Sequence, residues 1–359
     1  MNRGRILVTG GAGYLGSVLV ATLVRRGYQV RIFDKLIFGD AGLAVARDEV
    51  ELVPGDVLRP PANLMDGISA VIHLAGLSSQ STASYQSPRY TDRVNHLGTE
   101  TLALLAKSRG VSRFIFASSC SIYCANKYTP NTSPPRSKED DQIDIFGPYA
   151  LSKRAAEEAL VQLTDHGFKP IILRKGTLYG LSPKMRYDLV LNSFAKDAFS
   201  RRKITVNASG HMHRPMLDIQ DAVAAYTAAL ELPLELVGGD TFNVVTANHR
   251  IIDLAREFQT VLSARRRIAI ELDIRPFEVV LDYQADDSKF REVFNLDPVR
   301  PLERAILEIW DALEGGDDYT NPRYYNDLWH KEALKRGLLD QGLARREIES
   351  PKPLLTAPE

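Results

Sequence analysis

The feature that most constrains the fold is a glycine-rich segment placed directly after the first apolar run. Residues 5–9 read RILVT, and residues 10–16 read GGAGYLG before a helical pattern begins. An apolar run of this kind is typical of a strand buried on both faces. Gly10 permits the tight turn, Gly13 lets a ligand approach the backbone, and Gly16 lets the helix pack on the strand. Because free N–H groups at a helix start favour phosphates, the segment predicts a dinucleotide site; the alternative is a glycine-rich turn without a ligand.

Strand and helix patterns alternate through the first half of the chain, which indicates the fold class. The predicted strands are 30–33, 51–53, 70–74, 113–117, 171–174 and, later, 268–274; the predicted helices are 17–26, 91–109, 149–166 and, later, 185–202. Alternation of this kind produces parallel βαβ units in a doubly wound sheet. The chain is therefore predicted to be an α/β protein: a doubly wound parallel-sheet Rossmann domain with a smaller mixed α/β substrate-binding C-terminal part.

A change of pattern in the middle of the chain indicates the domain organisation. We expect residues 1–176 to form the dinucleotide-binding domain and residues 215–246 to return to it. The mixed segments 177–214 and 247–314 are expected to bind the substrate. Residues 315–359 form a charged tail that we expect to lie on the surface or fray.

Composition and charge argue against several classes of function. The chain has 359 residues, 44% of them hydrophobic, and its 45 Lys and Arg balance 45 Asp and Glu. Such a balance argues against a main role in holding nucleic acid or an anionic membrane. Two cysteines, Cys120 and Cys124, do not make a disulfide framework and favour a reducing compartment. No apolar run reaches the roughly 18 residues of a membrane span, and no signal peptide follows Met1, so we expect a complete cytoplasmic protein.

Asp34 ends the second predicted strand and bears on the choice of dinucleotide. A carboxylate at this position accepts hydrogen bonds from the ribose hydroxyls of an adenosine. It would repel a 2′-phosphate, which predicts NAD rather than NADP as the cofactor. The alternative is an aspartate that only caps the end of a strand.

A tyrosine, a lysine and a serine form the predicted catalytic set. Tyr149 precedes the strong helix former LSKRAAEEAL, so Lys153 lies four residues along on the same helical face. There the ammonium stabilises a phenolate and lowers the pKa of the tyrosine. Ser119, just past the fifth strand, is expected to hold a substrate oxygen. Tyr123 and Lys127 have the same spacing but run into a proline-rich loop; the bland alternative for the first pair is an ordinary surface contact.

Together these motifs make the chain similar to the extended short-chain dehydrogenase/reductase family. The similarity covers about residues 5–310, and the closer likeness is to NAD-dependent nucleotide-sugar epimerases and dehydratases of the UDP-glucose 4-epimerase type. It is carried by GGAGYLG, Asp34, the Gly55-Asp56-Val57 step, HLAG at 73–76, Ser119 and the Tyr149/Lys153 pair. The resemblance implies NAD contacts at Gly10, Gly13, Tyr14, Leu15, Gly16, Asp34, Asp56, Val57, Leu74, Ala75 and Lys153.

The resemblance also implies where a nucleotide sugar binds. Relatives place an arginine on the nucleotide diphosphate, which implies that role for Arg214; Arg275 and Asn192 are further candidates. Paired arginines suit a diphosphate through bidentate hydrogen bonds, and the alternative is solvated surface charge. The predicted substrate contacts are Ser119, Cys120, Ser121, Thr177, Asn192, Arg214 and Arg275. His211 and His213 have no Cys or carboxylate cluster beside them in the sequence, so no metal site is predicted.

The implied chemistry begins at a sugar hydroxyl, by hypothesis the one at C4. Tyr149 takes its proton and hydride passes to NAD, leaving a keto sugar. Return of hydride to the opposite face gives an epimer, loss of water gives a 4-keto-6-deoxy sugar, and release of the ketone is a dehydrogenase reaction. Family 4,6-dehydratases carry Asp-Glu where this chain has Cys120 and Ser121. The substitution favours a 4-epimerase.

Other interpretations stay open. A nucleotide-sugar 4-dehydrogenase, ketoreductase or dehydratase would use the same scaffold, and an NAD-binding regulator without catalysis is a remote alternative. Cys120 is either an acid/base beside the ketone or, as we prefer, a small buried filler like Cys124. Relatives often dimerise through two long helices, here 91–109 and 149–166. A homodimer without nucleic-acid or membrane partners is therefore expected.

Overall fold

The computed structural model describes residues 4–77, 87–124, 133–142, 145–276, 282–297 and 300–339. The strands, in chain order, are β1 (Arg5–Thr9), β2 (Gln29–Asp34), β3 (Val50–Pro54), β4 (Ile68–His73), β5 (Arg113–Ser119), β6 (Arg136–Ser137), β7 (Lys169–Lys175), β8 (Thr177–Tyr179), β9 (Lys203–Val206), β10 (His213–Asp218), β11 (Thr241–Val244), β12 (Ala247–Arg250), β13 (Glu271–Ile274) and β14 (Gln284–Ala285). The helices are α1 (Tyr14–Arg25), α2 (Pro88–Asp92), α3 (Gly98–Ser108), α4 (Pro148–Leu163), α5 (Val190–Arg201), α6 (Ile219–Glu231), α7 (Leu234–Val237), α8 (Ile251–Arg266), α9 (Ser288–Phe294), α10 (Leu302–Glu314) and α11 (Asn326–Lys335).

A seven-stranded parallel sheet forms the centre of the molecule, in the order β3-β2-β1-β4-β5-β7-β11. Successive residues of β1 face opposite layers: Ile6 and Val8 belong to one buried cluster and Leu7 to another. Burial on both faces explains why the strand sequence is continuously apolar. The predicted α/β fold class is confirmed, while the division into domains stays a prediction. Within the described ranges, no helix combines the length and the apolar character needed to cross a membrane.

Several predicted boundaries differ from the structure. The helix expected over 185–202 covers only Val190–Arg201. Met185 and Tyr187 belong to the non-helical segment before it, where both side chains are buried. The helix expected over 91–109 begins at Pro88 and is interrupted by a π-helical turn, Arg93–Leu97. The strand expected over 268–274 covers only β13, where it pairs with β9.

The C-terminal part departs most from the expectation of a surface tail. Trp329 and Ala333 lie one turn apart on α11, and both are buried together with Leu339. They pack on the apolar cluster beside the central sheet. The charged residues of this segment predicted exposure to solvent, but a helix needs only one apolar face to pack against the core. Residues 340–359 of the predicted tail lie outside the described residues.

A buried ion pair ties α4 to the middle of the sheet. Glu157 in α4 accepts three hydrogen bonds from Arg174 in β7, at 2.7, 3.0 and 3.2 Å, and one from Ser118 in β5. Both charged side chains are only 3% exposed. Arg174 also donates to the Tyr123 hydroxyl at 2.7 Å. Because water cannot replace either partner, this pair helps to hold α4 in register with the ends of β5 and β7.

Removing one member of this pair tests its structural role. We expect Glu157→Ala to lower the free energy of unfolding by about 3–5 kcal/mol, because it leaves the Arg174 charge buried and uncompensated. The matched control is Glu158→Ala, whose exposed ion pair with Arg154 contributes about 0.3–0.5 kcal/mol. Urea titration measures both values; equal losses would contradict the prediction.

Candidate active site

The turn between β1 and α1 is packed so closely that side chains do not fit at its key positions. Gly10 has φ +71°, and a Cβ there would lie 2.6 Å from the Ala75 nitrogen. A Cβ at Gly16 would lie 2.2 Å from the Gly10 carbonyl oxygen, and one at Gly13 would lie 3.1 Å from the same atom. The N-cap of α1 makes no side-chain hydrogen bond, so the first N–H groups of the helix are left to a ligand. This cradle fits a phosphate-bearing dinucleotide.

Asp34 lies at the end of β2, where backbone N–H groups orient its carboxylate. The Ala12 N–H donates to Oδ2 at 3.0 Å, and the Leu36 N–H donates to Oδ1 at 2.8 Å. Burial raises the pKa of Asp34, while these hydrogen bonds and the charge of Lys184 oppose the rise. Since each carboxylate oxygen accepts more than one hydrogen bond, the geometry is compatible with the predicted ribose contact.

Asp56 orders the turn that follows β3. Its carboxylate accepts from the Lys35 ammonium at 2.6 Å and from the Leu58 N–H at 3.0 Å. Asp56 therefore has hydrogen-bond partners within the protein. The resemblance places Asp56 and Val57 beside the adenine, and that placement stays a prediction.

One cleft at the carboxyl edge of the sheet joins these elements. It contains about 1240 Å³ of empty space, part of it open to solvent. The order of the sheet reverses between β1 and β4, which is where doubly wound folds bind ligands. All residues predicted to contact NAD line this cleft: Gly10, Gly13, Tyr14, Leu15, Gly16, Asp34, Asp56, Val57, Leu74, Ala75 and Lys153.

Tyr149 and Lys153 lie at the other end of this cleft, both on α4. The Lys153 ammonium donates to the Ala117 carbonyl at 2.8 Å, and burial lowers the pKa of Lys153 to about 7. Burial raises the pKa of Tyr149, while a hydrogen bond with Ser119 and the charge of Arg186 lower it. The expected lowering of the tyrosine pKa is thus outweighed by desolvation, and the cation that opposes the rise is Arg186.

Asn95 was missed by sequence analysis, although it positions the start of α4. It lies in the π-helical turn, where its Oδ1 accepts from the Leu77 N–H at 2.8 Å. Its Nδ2 donates to the Leu77 carbonyl at 3.1 Å and to the Ser152 hydroxyl at 3.0 Å. Ser152 in turn donates to the Tyr149 carbonyl at 2.8 Å. A lone asparagine in a helical segment that contains other polar residues has no sequence feature that marks it as a positioning residue.

Cations that were not predicted also line the cleft. Lys175 donates to the Ser118 carbonyl at 3.2 Å, and burial lowers the pKa of Lys175 to about 8. Arg186 forms an ion pair with Asp188 at 2.6 Å. The only sequence signal was the cluster of charges in the otherwise apolar stretch around residues 182–191. The end of the cleft that holds Tyr149 and Lys153 is consequently more cationic than expected.

Ser119, the last residue of β5, hydrogen-bonds with Tyr149, whereas the thiol of Cys120 contacts a backbone carbonyl. The Ser119 Oγ accepts from the Ser121 N–H at 3.2 Å. The Ser121 hydroxyl is buried and has no hydrogen-bond partner within the described part of the chain, and neither serine is among the residues that line the cleft. The thiol of Cys120 donates to the Arg174 carbonyl at 3.0 Å, and burial raises its pKa. This placement differs from the predicted substrate contact and favours the buried-filler interpretation.

The residues predicted to bind the diphosphate are dispersed. Asn192 is fully buried and donates to the Tyr14 hydroxyl and the Arg186 carbonyl, both at 3.0 Å. Both of its amide hydrogens are therefore used, which differs from the expected ligand contact. Arg275 is exposed and paired with Asp273 at 2.9 Å, as the surface-charge alternative describes.

Arg214 and Thr177 lie on β10 and β8, outside the lining of the cofactor cleft. Arg214 donates to the His213 carbonyl at 2.7 Å and lies 5.0 Å from the Tyr283 ring centroid. The predicted substrate contacts of both residues stay predictions.

The competing motifs have structural partners. Tyr123 donates its hydroxyl to Asn243 at 2.8 Å, and Lys127 lies outside the described residues. His213 hydrogen-bonds Asp282 at 3.1 Å. Across the described ranges, no group of three or more His, Cys, Asp or Glu side chains is arranged to hold a metal ion.

Known proteins resemble this chain over most of its length. Residues 6–245 match the NAD dependent epimerase/dehydratase family. UDP-glucose 4-epimerase of Bacillus subtilis is 26% identical over 337 residues, which cover 85% of this chain and 95% of the relative. UDP-N-acetyl-alpha-D-glucosaminuronate decarboxylase of Bacillus cytotoxicus is 26% identical over 318 residues, which cover 85% of this chain and 96% of the relative.

Solved structures share the architecture. UDP-glucuronic acid 4-epimerase from Bacillus cereus superimposes with a TM-score of 0.75 at 21% identity, over 87% of this chain and 99% of the other. At this level of identity the likeness establishes the fold, in agreement with the parallel sheet described above.

The glycine cradle makes a direct prediction. Gly16→Ala should weaken NAD binding at least about tenfold, because the added methyl group displaces the Gly10 carbonyl and the start of α1. Gly167→Ala is the control, since a Cβ there has no neighbour nearer than Asp165 Oδ1 at 3.6 Å. Calorimetric titration with NAD measures both, with circular dichroism to verify folding. Unchanged affinity in Gly16→Ala would show that the close approach does not shape the site.

Proposed function

The chain belongs to the NAD dependent epimerase/dehydratase family, which confirms the predicted resemblance, and we propose that it is a nucleotide-sugar epimerase acting at C4. The observation that carries the proposal is the convergence of Tyr149, Lys153 and the glycine cradle on one cleft. The family establishes an NAD-dependent enzyme. The names of its relatives, which include a UDP-glucose 4-epimerase and a UDP-sugar decarboxylase, support a nucleotide sugar as substrate.

The residues of the cleft suit each part of NAD. The glycine turn would hold the diphosphate, Asp34 the adenosine ribose, and Lys153 the nicotinamide ribose. When bound, NAD supplies a hydride acceptor that takes hydride from a sugar carbon and returns it. The protein has to place the sugar, move one proton and exclude water.

Tyr149 is the base in this proposal. Its phenolate accepts the proton of the C4 hydroxyl, and the resulting phenol gives it back when the keto sugar is reduced on its other face. Ser119 donates a hydrogen bond to the same sugar oxygen and also lowers the pKa of Tyr149. Arg186 places positive charge where the phenolate forms, in a buried setting where charges act strongly. Lys153 lies four residues along the same helix and lines the same cleft.

The residues after Ser119 distinguish epimerisation from elimination. A dehydratase needs an acid and a base at the neighbouring carbons, and neither Cys120 nor Ser121 supplies a carboxylate. The raised pKa of Cys120 and its bond to the Arg174 carbonyl also disfavour thiolate catalysis there. A 4-dehydrogenase or ketoreductase remains the alternative on this scaffold. Net production of NADH identifies the dehydrogenase, and net consumption of NADH identifies the ketoreductase.

A homodimer is supported by exposed apolar side chains on the two helices predicted to associate. Leu104 on α3 is 48% exposed, and Leu151 and Val161 on α4 are 53% and 59% exposed. Exposed apolar patches of this kind mark interaction surfaces. The neutral composition and the two buried free cysteines support a cytoplasmic location.

The central test replaces the base and identifies the product. Tyr149→Phe should lower turnover by about 10²- to 10⁴-fold while NAD remains bound, because only the proton acceptor is lost. Tyr123→Phe, the tyrosine with the competing spacing, should retain turnover. The substrate panel consists of UDP-, GDP-, dTDP- and CDP-sugars. The measurements are the stereochemistry of the product and the absorbance of NADH.

An epimer formed without net NADH supports the proposal. Accumulating NADH indicates a dehydrogenase, and a 4-keto-6-deoxy product indicates a dehydratase. Full-speed turnover by Tyr149→Phe would contradict the assigned base.

The hydrogen bond from Ser119 predicts a change in pH dependence. Ser119→Ala removes a contact that lowers the pKa of Tyr149, so that pKa rises and more alkaline solution is needed to form the phenolate. The acidic limb of the kcat/KM profile should move to higher pH by up to about one unit. Ser119→Thr keeps the hydroxyl and should keep the limb in place. A uniform loss of rate with an unmoved limb would argue against this role.

A further inference from the structure

Residues 322–339, here named the C-terminal brace, lie against the adenosine end of the cleft and outside the residues that match the family. The brace consists of the turn Pro322–Tyr324, the helix α11 and the residues that follow. Trp329 is 3% exposed and donates its indole N–H to the Ile37 carbonyl, in the loop that follows Asp34. Asn326 and Leu339 line the same cleft as Asp34.

Lys184 connects the brace with the ribose side of the cleft. Its ammonium donates to Asn326 Oδ1 at 3.3 Å and lies 3.8 Å from the centroid of the Phe38 ring. Its charge also acts on the Asp34 carboxylate. Lys184 is buried, so water screens this charge little. Asp34, Lys184 and Asn326 therefore all line the part of the cleft where the ribose is predicted to bind.

The brace also orders the loop 36–39. His330 packs edge-on against Phe38, with ring centroids 5.9 Å apart. Gly39 has φ +80°, and a Cβ there would lie 3.0 Å from Nη1 of Arg323. The same loop contains Leu36, whose N–H orients the Asp34 carboxylate. Contacts made by the brace thus reach the group predicted to bind the ribose.

We propose that the C-terminal brace is part of the cofactor site, where it walls the adenosine-ribose subsite and slows the release of NAD. The ligand part concerned is the adenosine half of the dinucleotide, contacted by Asn326 and Leu339. A wall that has to separate before the ligand leaves acts mainly on the dissociation rate. A retained cofactor suits chemistry that returns its hydride within one turnover. The inference rests on NAD binding and not on which sugar carbon reacts.

The test measures cofactor release in variants of the full chain. Asn326→Ala removes a wall residue and the acceptor of Lys184, and Leu328→Ala, 56% exposed on the same helix, is the matched control. The probes are NAD, ADP-ribose for the adenosine half, and nicotinamide mononucleotide for the other half. Asn326→Ala should release NAD and ADP-ribose about tenfold faster, with nicotinamide mononucleotide and the control unaffected.

A second measurement does not depend on a substitution. ADP-ribose should protect the brace of the wild-type protein from limited proteolysis, whereas nicotinamide mononucleotide should not. Unchanged release in Asn326→Ala, or cleavage of the brace that ignores ADP-ribose, would overturn the inference. If no sugar nucleotide reacts while cofactor release changes as expected, the proposed C4 reaction is overturned and the inference about the C-terminal brace is retained.

Discussion

Close backbone packing at the carboxyl end of β1 is the constraint on which the rest of the structure depends. A side chain at Gly16 would meet the Gly10 carbonyl at 2.2 Å, so α1 begins directly against the turn. This position lets Tyr14 donate to the Gly180 carbonyl at 2.6 Å, while Asn192 donates to the tyrosine hydroxyl. One glycine turn thereby shapes a phosphate cradle and fastens the first part of the chain to the segment expected to bind substrate.

Burial governs the electrostatics at the reactive end of the cleft. Desolvation raises the pKa of Tyr149 and lowers the pKa of Lys153 to about 7 and of Lys175 to about 8. The two lysines donate to backbone carbonyls, which orient the ammonium groups without neutralising them. Neither lysine forms its hydrogen bond with a carboxylate, so a developing phenolate or an anionic substrate would meet little competition for these two ammonium groups. The third cation, Arg186, is different because it pairs with Asp188.

The residues predicted to contact NAD meet in one cleft, whereas those predicted to contact the substrate are dispersed. Gly10, Gly16 and Asp34 lie within one βαβ unit, where the spacing along the chain dictates the spacing in space. Asn192 and Cys120 were also predicted to contact the substrate, yet the structure satisfies both with protein partners. Whether such a side chain faces a ligand or a neighbouring element depends on how distant segments pack, and no local pattern records that.

The amino-acid sequence by itself determined the parallel sheet, the glycine cradle and the helix that carries Tyr149 and Lys153, because strand burial, tight turns and helical spacing are local properties. Tertiary structure alone decided that Arg186 acts on the tyrosine and that Trp329 docks beside the loop after Asp34. Both contacts join segments far apart in the chain. Their formation depends on the shape of the assembled core, which short-range periodicity does not specify.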